Sequence, residues 1–221
     1  MVKQHDWVAW HAAYDRPGSS LSRRLEVVRE QVRRALDDLP ARLPGAAPHT
    51  LVSLCAGDGR DVLPVLAEHP RRDDVRVLLV ELDGALVAAA REAVDALGLT
   101  RVEVRGTDAG PVDTYLDHLP ADVLLVCGVF GNVPPDDVRR TVDALPGMLA
   151  DDGVVLWTRG RGGDGNEQAQ VIRRRCVRAG LTEVSFTAPD DARFRVGVHR
   201  RPAGTVDAAP PAPGTRLFAF A

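Results

Sequence analysis

The sequence predicts an α/β fold: a doubly wound seven-stranded sheet, mostly parallel with an antiparallel C-terminal strand, beneath an N-terminal helical lid. Three observations predict it. From residue 50 onward, apolar runs of strand length alternate with helical segments. Runs such as Val123-Leu124-Leu125-Val126 are continuous rather than alternating, which marks strands covered by helices on both faces. The last two strand-like stretches are separated only by Pro189-Asp190-Asp191-Ala192, too short for a crossover helix, so that pair is antiparallel.

The elements follow in order. Residues 5–15 place Trp7, Val8, Trp10, His11 and Tyr14 so that several share one helical face. Pro17-Gly18 breaks that segment, and Ser19, Ser20 or Ser22 caps the next. Leu21, Leu25, Val28, Val32, Leu36 and Leu39 recur every three or four residues, an amphipathic helix that stops at Pro40. A proline-rich connector, 40–48, leads into strand 50–55 and helix 61–68. Strand 75–81 precedes helix 84–97, stopped by Gly98, and strand 101–105 precedes a short helix at 111–118. Strand 122–127 precedes helix 135–149, with Pro134 and Pro135 at its start. Strand 153–158 precedes helix 166–179, closed by Gly180; strands 181–188 and 194–199 complete the sheet. Residues 202–214 are Pro/Ala/Gly-rich and irregular, and Arg216 to Phe220 docks as an edge strand. The expected organisation is a single domain over 1–221: a helical lid and connector (1–47), an α/β core (48–200) and a C-terminal tail (201–221).

Composition excludes several classes of function. The net charge is −3 over 221 residues, and Lys3 is the only lysine, so no global basic field attracts nucleic acid. The three cysteines lack paired spacing, which suggests neither a zinc site nor a disulfide framework and fits a reduced, cytoplasmic setting. MVKQHDWVAWHAAYD lacks the apolar core of a signal peptide, and no apolar run approaches a membrane span. The expected partner is a small-molecule substrate, with no nucleic acid and no membrane; a homodimer stays open.

The chemistry concentrates in LVSLCAGDGRD, residues 51–61. Leu51, Val52 and Leu54 lead into the turn Ala56-Gly57-Asp58-Gly59, and a helix follows from Val62. Small residues let the backbone approach a ligand, and the helix N-terminus offers N–H donors. The second apolar run ends in Glu81-Leu82-Asp83, and an acid about 20 positions beyond a glycine turn is placed to grip a ribose hydroxyl. A dinucleotide fingerprint needs Gly or Ala at the third position of G-x-G-x-x-G/A. Here Val62 stands there, and its branched side chain opposes close helix–strand packing.

In their order and spacing these segments resemble the class I S-adenosylmethionine-dependent methyltransferases over residues 48–200. LVSLCAGDGRDVL is similar to the family's D/E-x-G-x-G-x-G loop around the methionine end of the cofactor, LLVELDGALVAAAREA to its second motif, VRGTDAG to its third and ADVLLVCGVFGNV to its fourth. The resemblance implies S-adenosylmethionine as cofactor. It places Ala56, Gly57, Asp58 and Gly59 around it, Glu81 on the ribose with Leu82 beside it, Asp108 on the adenine amino group with Ala109, Cys127 at the end of the fourth strand, and Tyr14 in the lid. Two positions depart from the pattern: Ser53 stands at the family's acid and Cys55 at its first glycine. Asp58, Asp61 or backbone carbonyls then take over the contact to the cofactor's amino end.

Methyl transfer from a sulfonium is an in-line displacement that needs alignment, exclusion of water and, for hydroxyl or ammonium acceptors, removal of a proton. His11 is the first candidate base; the other reading makes it a surface histidine beside a packing stripe. Asn132 either orients an acceptor through its amide or closes a turn before Pro134, and Phe130 packs on the ligand. Arg159 and Arg161 bind an acidic substrate or the cofactor carboxylate, or form a solvated loop. Arg23 and Arg24 begin a helix and read as solvated, His199 as structural, and no tight His/Asp/Glu cluster calls for a metal. The sequence thus points to methyl transfer to an O-, N- or C-nucleophile of a small molecule. The alternatives are cyclisation or elimination on the same fold, or a non-catalytic binding or regulatory subunit.

Overall fold

The structure, a computed structural model, describes residues 14, 16–42, 45–160, 165–204 and 208–220. Seven strands form one sheet: β1 (His49–Leu54), β2 (Val75–Glu81), β3 (Val102–Gly106), β4 (Ala121–Val126), β5 (Leu149–Gly160), β6 (Thr182–Thr187) and β7 (Phe194–Arg200). Their order is β3-β2-β1-β4-β5-β7-β6. The pairs from β3 through to β5 are parallel, and β7 alone runs antiparallel, to both β5 and β6. The helices are α1 (Ser20–Asp37), α2 (Leu63–Glu68), α3 (Gly84–Ala96), α4 (Pro135–Met148) and α5 (Gly165–Arg178).

The continuous apolar runs are explained by the two faces they serve. Val52, Leu54, Leu78, Val80, Leu124 and Val126 face one core layer with α4 and α5. Their neighbours Leu51, Val77, Leu79, Val123 and Leu125 face the other, with α1 and α2. Successive side chains point to opposite faces, so a strand covered on both sides has no polar face, and the few polar side chains of β1 are buried with the apolar ones. Capping is local: Ser19 Oγ accepts from Ser22 N at 3.0 Å to start α1, and Asp83 Oδ1 accepts from Ala85 N at 2.9 Å to start α3.

Three expectations need correction. Residues 111–118 form two short 3₁₀ turns, Val112–Thr114 and Leu116–His118, rather than one helix. Residues Arg216 to Phe220 are not an edge strand; a single antiparallel bridge joins Arg216 to Pro111. Leu217 and Phe218 are instead buried against the main core. Arg24 is not solvated but 7% exposed, while Arg23 pairs with Asp191 at 2.9 Å. The helix expected over residues 5–15, with Trp7, Trp10 and His11, lies outside the described residues except for Tyr14.

His199 is structural and sits inside the sheet. Its Nδ1 accepts from Trp157 Nε1 at 3.2 Å, and Glu183, held by Arg173 at 2.6 Å, approaches Nε2 at 3.7 Å. Burial outweighs the Glu183 charge, and Arg173 adds to it, so the imidazole pKa is lowered to about 4. The unfolded chain takes up a proton near pH 6.5 that the folded chain refuses until about pH 4. Unfolding free energy should therefore fall on acidification across that window, by up to about 3 kcal/mol. Urea unfolding of wild type and His199→Gln at pH 7 and pH 4.5 checks this; the variant should lose less on acidification.

Candidate functional site

A cleft of about 420 Å³ opens at the carboxyl ends of β1, β2, β3 and β4. The strand order reverses beside β1, and open α/β sheets bind ligands at that point. Cys55, Ala56, Gly57, Arg60 and Asp61 line it from the turn after β1; Glu81, Leu82, Asp83 and Leu86 from the end of β2 and start of α3; Asp108 and Ala109 from beyond β3; Cys127 and Gly128 from beyond β4. Tyr14, Arg24 and Phe220 close it from elsewhere in the chain.

The turn after β1 is built on left-handed backbone, with φ of +55° at Cys55, +59° at Gly57 and +76° at Gly59. At Gly59 the requirement is steric as well: a Cβ there would lie 2.6 Å from Leu63 Cδ1 and 2.9 Å from Leu79 Cδ1. Cys55 holds its conformation without that freedom, a local strain of about 1 kcal/mol. Val62 is 1% exposed and belongs to the core layer shared with α1 and α2.

Glu81 ties the turn to β2. Its Oε2 accepts from Gly57 N at 2.8 Å. Its Oε1 accepts from Leu82 N at 2.8 Å and Asp83 N at 2.9 Å. Asp108 accepts from Gly110 N at 2.8 Å through Oδ1 and from Arg216 Nη1 at 2.8 Å through Oδ2. Asp58 is not among the residues lining the cleft; it holds Arg60, with Arg60 Nη2 donating to its Oδ2 at 2.6 Å. Ser53 is 2% exposed within β1, between Leu79 and Leu125, so it does not reach the cleft.

At the other end, buried Tyr14 has the guanidinium carbons of Arg24 and Arg60 at 5.3 and 4.9 Å from its ring centroid. Asp61 lies among these cations. Burial raises its carboxyl pKa and Asp58 adds to that, while Arg24, Arg29 and Arg60 pull it back. The thiols of Cys55 and Cys127 are both pushed well up, by burial first and then by Glu81 and Asp108 for Cys55 and by Asp61 for Cys127. Both stay protonated at neutral pH, and neither is an activated nucleophile.

Of the predicted site residues, the structure brings Tyr14, Ala56, Gly57, Asp61, Glu81, Leu82, Asp108, Ala109 and Cys127 together. It does not bring Asn132 or Arg159 to the cleft wall. Asn132 Nδ2 donates to Gly128 O at 2.6 Å and closes the turn after β4; Arg159 Nη1 donates to Phe130 O. Phe130 is fully buried against Trp157, 6.2 Å between centroids. His11 and Arg161 lie outside the described residues. Sequence reasoning missed Arg24 and Phe220: the first reads as an ordinary polar helix start, and the second lies beyond any recognised motif. Among the described residues, no group of three or more His, Cys, Asp or Glu side chains is placed to hold a metal ion. No helix there is long and apolar enough to cross a membrane.

Gly59→Ala should destabilise the fold by about 1–3 kcal/mol, because it meets both a left-handed φ and a filled space. Denaturant unfolding measures it; an unchanged midpoint would mean the turn relaxes freely.

No protein-family model and no curated protein matches the sequence. Solved structures do match. An O-methyltransferase family protein from Burkholderia thailandensis is 18% identical with a TM-score of 0.64, over 90% of this chain and 61% of that one. The CurJ carbon methyltransferase is 12% identical with a TM-score of 0.64, over 90% and 59%. An O-methyltransferase family 2 protein from Planctomyces limnophilus, in complex with apigenin, is 17% identical with a TM-score of 0.54, over 80% and 62%. This chain therefore spans about three fifths of the length of each of these. At such identities the likeness is one of fold, and the chain has the class I methyltransferase fold that its motifs resemble.

Proposed function

We propose that this chain binds S-adenosylmethionine in the cleft and transfers its methyl group to a small-molecule acceptor. The observation that carries the reading is Glu81. A carboxylate has about four acceptor positions, and three backbone N–H groups fill three of them. The remaining capacity, at the rim of a glycine turn, suits a ribose hydroxyl.

The cleft also has the chemistry for the rest of the group. The cofactor's amino-acid end carries one ammonium and one carboxylate. Asp61 and Arg24, both lining the cleft, offer the opposite charges. They take the place of the acid that the chain lacks at Ser53, and an ammonium beside Asp61 would draw its raised pKa back down. Asp108 would accept from the base amino group, with Leu82, Leu86 and Ala109 as apolar neighbours. When bound, the cofactor supplies an electrophilic methyl on a positively charged sulfur. The chain's part is to hold the reactants in line and keep water out. His11 stays the candidate base for acceptors that must lose a proton. A neighbour of the same fold that holds apigenin supports a small acceptor. Three cysteines without disulfide partners support a reduced, cytoplasmic setting.

Calorimetry with S-adenosylmethionine and S-adenosylhomocysteine tests the proposal. Both should bind, and absence of binding at millimolar concentration contradicts it. Binding without turnover on any acceptor would favour cyclisation, elimination or a regulatory subunit, readings that the Ser53 and Cys55 departures keep in view. Glu81→Ala should cost about 1–3 kcal/mol of affinity. Asp61→Asn should weaken S-adenosylhomocysteine by a similar amount and leave adenosine, which lacks the amino-acid end, unchanged. An equal loss on both ligands would remove Asp61 from that role.

A further inference from the structure

The motifs that resemble the methyltransferases end at residue 200, yet residues 214–220 return to the cleft. The segment is anchored on two elements. Leu217 N donates to Gly110 O at 2.9 Å, and Val112 N donates to Thr215 O at 2.9 Å. Ala219 N donates to Asp137 Oδ2 at 2.9 Å on the first turn of α4. Leu217 and Phe218 are 1% and 0% exposed. The fit over the loop after β3 is so close that a Cβ on Gly110 would lie 2.2 Å from Phe218 O. These anchors leave two side chains at the nucleoside end of the site. Arg216 Nη1 donates to Asp108 Oδ2 at 2.8 Å, and Phe220 lines the cleft while 41% exposed. The Phe220 ring is held edge-on to the buried Phe218, 6.0 Å between centroids.

We propose that Arg216 and Phe220 set the affinity and base selectivity of the nucleoside end: Phe220 is an apolar wall for a purine, and Arg216 is a positioning residue that fixes the Asp108 carboxylate for a base bearing an exocyclic amino group. The inference rests on the proposed function and deepens it. The Asp108 side chain is 42% exposed, so an unheld carboxylate would turn toward water. Gly110 N on one oxygen and Arg216 on the other hold its plane. A fixed carboxylate accepts from an amino group and repels a carbonyl in the same place, whereas a free one rotates out of the conflict. The ion pair is half-exposed and contributes little to stability by itself, so its removal should alter recognition more than folding.

The test is calorimetry on the full chain with S-adenosylhomocysteine and with S-inosylhomocysteine, in which an oxo group replaces the base amino group. The wild type should prefer the amino ligand by about tenfold or more. Phe220→Ala should weaken both ligands about tenfold and leave their ratio unchanged, since a wall does not read the substituent. Arg216→Ala should lower the ratio by about threefold or more, and Arg216→Lys should restore part of it. Circular dichroism establishes that the variants fold. Wild-type binding without discrimination, an unchanged ratio in Arg216→Ala, or unchanged affinity in Phe220→Ala overturns the inference and leaves the proposed function standing. A wild type that binds neither ligand overturns both.

Discussion

The site depends on one carboxylate. Glu81 ends β2 and receives the N–H groups of Gly57, Leu82 and Asp83. The turn after β1 is left-handed at three of its positions; Ala56 N still donates to Val80 O on β2 and Gly59 N to Ala56 O, and Gly57 N, between them, finds its acceptor in Glu81. An unmade hydrogen bond to a buried N–H costs about 1–3 kcal/mol, and Glu81 removes that cost at Gly57 while locking two adjacent crossovers together. The register that sets Leu54 beside Val80 delivers the acid to the turn. The cleft floor is thus assembled by sheet pairing and held by a single side chain, with capacity for a ligand hydroxyl left over.

Charge is arranged around that floor by position along the sheet. Asp108 and Arg216 occupy the β3 side, and Arg24, Arg60 and Asp61 the side nearer β4. Burial shapes what these groups do: it raises the Asp61 carboxyl and keeps the Cys55 and Cys127 thiols protonated. The cleft thus presents charges of both signs and no activated thiol.

Most of the fold was legible in the sequence because its signals are local. Continuous apolar runs between glycine- or proline-terminated helices can only be strands covered on both faces. The short Pro189–Ala192 link forces the antiparallel return that β6 and β7 make. Gly57 and Glu81 were legible from the strand–turn pattern and its spacing, and Asp108 from the resemblance of VRGTDAG to a methyltransferase motif; all three line the cleft. What was not legible depends on contacts between distant segments. Arg24 looks like a solvated helix residue until α1 packs against the sheet and turns it into the cleft. Asn132 and Phe130 sit in the right loop, but their side chains are taken up by Gly128 O and by the core around Trp157. The 216–220 segment reads as an edge strand, but its one bridge joins Arg216 to Pro111, and the rest docks over Gly110 through contacts that no local pattern announces.

The central claim is that the ends of β1, β2 and β3, joined through Glu81, form one nucleoside site. Hydrogen–deuterium exchange with and without S-adenosylhomocysteine tests it most directly, because backbone amides report where the ligand orders the chain. The expected result is slowed exchange in segments 55–62, 81–86 and 106–112 together, with α5 and β6 unchanged. Slowed exchange confined to other segments, with those three unaffected, would contradict it.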